Sequence, residues 1–100
     1  QSTYISKPFT LDFNPTGATM YLTERKETGT SISPRINCGG TMITGVAGES
    51  RPDPSFAGFN EVKYTFNLTG VTARPTEVRI ILNPNAIHTP YIKRYGCYFN

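Results

Sequence analysis

The chain has no tryptophan, a single histidine (His88) and only two cysteines (Cys38 and Cys97), and charged residues make up just 17% of its 100 positions. Each scarcity removes a class of protein. One histidine and two cysteines without CxxC spacing cannot supply a structural zinc site or a dithiol redox motif. A serine triad would have to use His88, and no GxSxG elbow is present. Glu49 and Asp53, split by Arg51, are too few acids for an oxygen-ligand metal loop, and Gly39-Gly40 lacks the lysine and helix of a phosphate cradle, so no cofactor is expected. No apolar run approaches the roughly 18 residues that a membrane helix needs, so no membrane span is expected. Nor does a charged-then-apolar leader open the sequence; Gln1-Ser2-Thr3 is compatible with a leader already removed.

Helix is scarce as well. Proline (8) and glycine (9) interrupt the chain at short intervals and leave no window for a long helix. Between them lie alternating, β-prone stretches. In Glu61 to Thr69, Val62, Tyr64, Phe66 and Leu68 share one face; in Glu77 to Asn83, Val78, Ile80 and Leu82 point inward and Arg79 and Ile81 outward. Both strands are expected at central positions. Phe9, Leu11 and Phe13 alternate before the turn signal Asn14-Pro15-Thr16-Gly17. Ala18 to Glu24 then resumes, with Met20 and Leu22 opposed to Thr19, Tyr21 and Thr23, which suggests a hairpin. Ser31 to Cys38, Thr41 to Val46 and Pro90 to Phe99 complete about seven short strands. The expectation is one all-β domain over residues 1–100, an antiparallel β-sandwich that resembles immunoglobulin-like domains in the loose architectural sense, with a small β-barrel as the alternative.

Cys38 and Cys97 are expected to form one disulfide. It would close a loop of about 60 residues, contribute about 4 kcal/mol in the chain-entropy model, and imply an oxidising, extracellular or periplasmic compartment. Low charge content agrees with a secreted or cell-surface protein.

The net charge of +3 is concentrated late: Arg74, Arg79, Lys93 and Arg94 stand against Glu77 alone after residue 70. Two regions are candidate binding sites. One is the stretch Ala47 to Asn60, read as the longest loop, where Arg51, Asp53, Phe56 and Phe59 offer charge and aromatic area, with covering of the core edge as the alternative role of the two phenylalanines. The other is a sheet face carrying Arg79, Ile81, Arg94 and Tyr98. In the tail, Tyr91, Tyr95 and Phe99 share parity with Cys97 and face the core, leaving Ile92, Arg94 and Tyr98 outside, so the basic-aromatic texture there is not expected to serve nucleic acid. Asn67-Leu68-Thr69 is an N-glycosylation sequon on an outward face.

The function expected is therefore an exported, non-enzymatic binding module, such as a microbial surface or pilus-type adhesin domain or a small secreted effector. Its partner would be a protein or glycan on a cell surface, or another subunit joined by strand addition, for which Phe9-Leu11-Phe13 has the alternating pattern. The enzymatic alternative is metal-free RNA cleavage by Glu61, Arg79 and His88. Those three residue types resemble the trio of small guanine-specific microbial ribonucleases, and as an active site they would have to meet in one groove.

Overall fold

A computed structural model describes all residues, 1–100, and contains eight strands and no helix, so no helix is long and apolar enough to cross a membrane. The strands are β1 (Ser2–Ile5), β2 (Gly17–Arg25), β3 (Ser31–Cys38), β4 (Thr41–Thr44), β5 (Val46–Pro52), β6 (Asn60–Asn67), β7 (Pro75–Asn83) and β8 (Tyr91–Phe99). They form two four-stranded antiparallel sheets, the first in the order β1-β7-β3-β4 and the second in the order β5-β6-β2-β8. β6 and β7 occupy interior positions, as their alternation predicts. The first two strands lie in different sheets, unlike the neighbouring A and B strands of immunoglobulin domains, so the likeness stops at two packed layers.

Strict alternation on the interior strands builds the core. Met20, Leu22, Val62, Tyr64 and Phe66 of the second sheet meet Ile32, Ile36, Val78 and Ile80 of the first, all buried. Pro34 lies inside β3, where a proline normally breaks the ladder. It is tolerated because its carbonyl accepts from Gly45 on the β4 side at 2.9 Å, and its missing N–H points to that same side, where β4 has just ended. Gly45 is itself required there. The chain crosses between sheets so close to Phe66 that a Cβ would sit 2.7 Å from the ring. Cys38-Gly39-Gly40-Thr41 closes β3 on β4 with two residues at positive φ (61° and 99°), the conformation a two-residue hairpin demands.

Four sequence expectations are corrected. Residues 46–52 form edge strand β5, so the loop shrinks to 53–59. Phe9 to Phe13 is not a strand; Ser6 and Phe9 donate to Val78 and Thr76 of β7 and the Phe9 ring packs 5.7 Å from Phe99, so this segment covers its own domain's flank instead of standing free as a donor strand. Tyr91 faces outward and Ile92 inward, because a bulge opposite Thr23/Glu24 shifts the parity of β8.

The fourth correction concerns the cysteines, which are free thiols. Cys38 lies on β3 beside Pro75, whereas Cys97 lies on the edge strand β8 and borders a cleft with Phe9, Val78 and Phe99. Inward parity puts both near the core, but their strands are not neighbours across it. Burial raises the Cys38 thiol and pushes Cys97 up to about 11. Both therefore stay protonated near neutrality, where the thiol is unreactive. Two thiols per chain are expected to react with a disulfide reagent in denaturant without reductant, and far more slowly in the native state at pH 8. Fewer than two in denaturant would show that a bridge exists.

Candidate functional site

Glu24, Ile92 and the core residues point inward, so the outer face of the second sheet is left to Thr19, Tyr21 and Thr23 of β2, Glu61, Lys63 and Thr65 of β6, Arg51 of β5, and Arg94, Gly96 and Tyr98 of β8. The register places Tyr21 directly opposite Gly96 and next to Tyr98. Without a side chain at Gly96 the Tyr98 ring lies across that position, its hydroxyl 3.3 Å from where a Cβ would stand. It meets Tyr21 edge to face at 6.3 Å. Both tyrosines remain open, 39% and 64% exposed. Around them Thr23, Arg51, Glu61 and Arg94 complete a shallow depression of about 430 Å³. That volume falls within the range of about 300–1,000 Å³ typical of small-ligand sites.

One wall is fixed by Asp53. Its Oδ1 accepts the backbone N–H groups of Ser55 (2.8 Å) and Phe56 (3.2 Å), turning the chain into the 53–59 loop, and its Oδ2 accepts the Thr23 hydroxyl at 2.8 Å. A donor in Arg94 lies farther off, 3.4 Å from Oδ2. These bonds, led by Ser55 and Thr23, hold the Asp53 carboxyl below the usual carboxylate range. The loop folds back so that Asp53 N–H donates to the Phe59 carbonyl, and Phe56 and Phe59 pack edge to face at 6.5 Å. Cations cover both rings. Arg94 stands 5.1 Å from the Phe56 centroid, Lys93 5.4 Å from Phe59, and Arg25 lies between Phe59 (5.2 Å) and Tyr91 (4.7 Å).

The residues expected from sequence divide accordingly. Arg51, Arg94 and Tyr98 line the depression; Phe56 is half-buried beneath Arg94 and Lys93, and Asp53 is buried, a scaffold carboxylate and not a contact residue. Arg79 and Ile81 lie on the outer face of the first sheet, so the single face expected to join them to Arg94 and Tyr98 does not exist. There Arg79 binds Glu77 at 2.6 Å, and Asn37 and Arg79 together hold the Glu77 carboxyl low. Sequence alone does not single out Tyr21 or Gly96. The signal for Tyr21 was an outward aromatic between two threonines.

The trio Glu61, Arg79 and His88 is not assembled. Glu61 pairs with Arg51 at 2.7 Å on the outer face of the second sheet, Arg79 lies on the outer face of the first, and His88 sits in the β7–β8 loop, its N–H donating to Asn85 Oδ1. Two packed sheets separate the carboxylate from the guanidinium.

No family model, no curated protein and no solved structure matches this chain.

Proposed function

We propose that this domain is a non-enzymatic recognition module that holds a glycan across the outer face of its second sheet. The observation that carries this is the exposed Tyr21–Tyr98 pair over Gly96, rimmed by Arg51, Glu61 and Arg94. A pyranose ring has an apolar C–H face and a rim of hydroxyls. Tyrosine faces match the first, and a guanidinium–carboxylate pair supplies both donors and acceptors to the second. Low charge content and the all-β fold support the exported setting expected from sequence, an adhesin domain or a secreted effector; the unpaired thiols do not.

Oligosaccharide array screening with wild type and Tyr98→Ala tests this. Tyr98 is exposed on an edge strand, so its truncation leaves the core intact. Binding to at least one glycan is expected, weakened about tenfold or more in the variant, the loss typical of an aromatic anchor. Equal binding by both proteins, with unchanged circular dichroism, would place the site elsewhere.

A second mode, strand addition by another subunit, is favoured by one observation. Strand β8 pairs only with β2, and an apolar cleft of about 570 Å³ lies between its inner side and β1, lined by Tyr4, Phe9, Leu11, Tyr95, Cys97 and Phe99. An added strand would need alternate apolar side chains to fill it.

A further inference from the structure

We infer that the glycan held on this face is an acidic one, and that Arg94 binds its carboxylate. The inference rests on the glycan reading and names the sugar class of the same site.

Two arginines border the depression, and they differ in what already binds them. Both Nε and Nη2 of Arg51 meet Glu61 Oε1, at 3.1 and 2.7 Å. That guanidinium and that carboxylate neutralise one another. Arg94 is paired more loosely, through one long contact to Asp53. Its one polar contact is the 3.4 Å approach to Asp53 Oδ2, an oxygen already bound to the Thr23 hydroxyl at 2.8 Å, and the other Asp53 oxygen is occupied by two backbone donors. The ionised Asp53 therefore holds Arg94 through that single long contact while its hydrogen-bonding positions are taken by other donors. The Arg94 side chain remains 53% exposed, with most of its donor fork unengaged.

The same side chain is held in place. Its guanidinium rests over the Phe56 ring at 5.1 Å, which limits the freedom a long side chain must otherwise lose on binding. Position follows from the strand. Residues 94, 96 and 98 share the outer face, with Cα atoms about 6.8 Å apart at each step. A sugar ring stacked on the Tyr98 ring, which itself covers Gly96, therefore comes within reach of the Arg94 fork. A planar carboxylate on that ring fits the fork in two parallel hydrogen bonds. Lys93, next along β8, adds charge of the same sign over Phe56 and Phe59. The one acid that lines the depression, Glu61, is half-buried and paired with Arg51.

Isothermal titration of the whole domain tests the assignment. The probes are an oligogalacturonide against its neutral galactose counterpart, sialyllactose against lactose, and a sulfated disaccharide. At least one carboxylated probe is expected to bind tenfold or more tighter than its neutral partner, with the preference shrinking as salt rises. Arg94→Gln is expected to erase that preference, and Arg94→Lys to restore only part of it, since lysine offers charge without the fork. Equal affinity for acidic and neutral probes, or a preference that survives Arg94→Gln, would overturn the inference and leave the glycan reading standing. Tighter binding of the sulfated probe would overturn the carboxylate assignment. Binding to no sugar at all would overturn both.

Discussion

Asp53→Ala is expected to lower the melting temperature by roughly 10 °C and to weaken binding of an acidic ligand about tenfold, although Asp53 does not line the depression. The carboxylate joins the start of the 53–59 loop to β2 through Thr23 and approaches β8 through Arg94, and it caps the turn at Ser55 and Phe56. Removing it leaves two N–H donors and a hydroxyl unpaired. It also frees the Phe56 platform on which Arg94 rests. Asp53→Asn keeps an acceptor for the turn and should lose less. The pH dependence has a fixed sign. The folded carboxyls of Asp53 and Glu77 lie below their unfolded values, so the stability they contribute is complete above about pH 5 and lost as pH falls through the lower folded values. Thermal melts from pH 2 to 7 should show a shallower acid limb in Asp53→Asn than in wild type.

Tyr64→Phe is expected to cost about 2 kcal/mol, more than a hydroxyl deletion usually does. Glu24 is fully buried in the second sheet, and its Oε1 accepts the Tyr64 hydroxyl at 2.5 Å. The only other charge at hand is Lys26, 3.5 Å from Oε2. Burial, and then Glu24, push the Tyr64 phenol far above its usual range, so it stays a donor at every accessible pH. Phenylalanine keeps the ring and strands the carboxylate. Pairing it with Glu24→Leu removes both polar groups together, and the double variant should recover most of the loss, a coupling that a denaturation cycle measures directly. Strict additivity would mean that the two groups do not depend on each other.

What could be read from the chain follows from which strands bury one face. β3, β6 and β7 alternate apolar and polar residues because each has neighbours on both sides and a core beneath it. β1 and β5 are edge strands exposed along their length, so Ser2–Ile5 and Val46–Pro52 carry no burial period to detect. Parity correctly turned Arg94 and Tyr98 outward, but parity says nothing about which sheet a strand joins. Parity alone therefore groups Arg79 and Ile81 with them, although they lie on the other sheet. Strand order also decides the cysteines: both point inward, on strands that do not bring their sulfurs together. Asp53 read as a loop charge for the same kind of reason, since the donors that bury it come from 30 residues back along the chain and from the loop's own backbone.

The most direct test of the glycan-binding face is a titration of isotope-labelled domain with the best-binding oligosaccharide, followed by amide chemical shifts. The shifts are expected to concentrate at residues 19–23, 51, 61 and 94–98. Perturbation confined to the outer face of the first sheet around Arg79 and Ile81, or to the cleft between β1 and β8, would contradict the glycan-binding face.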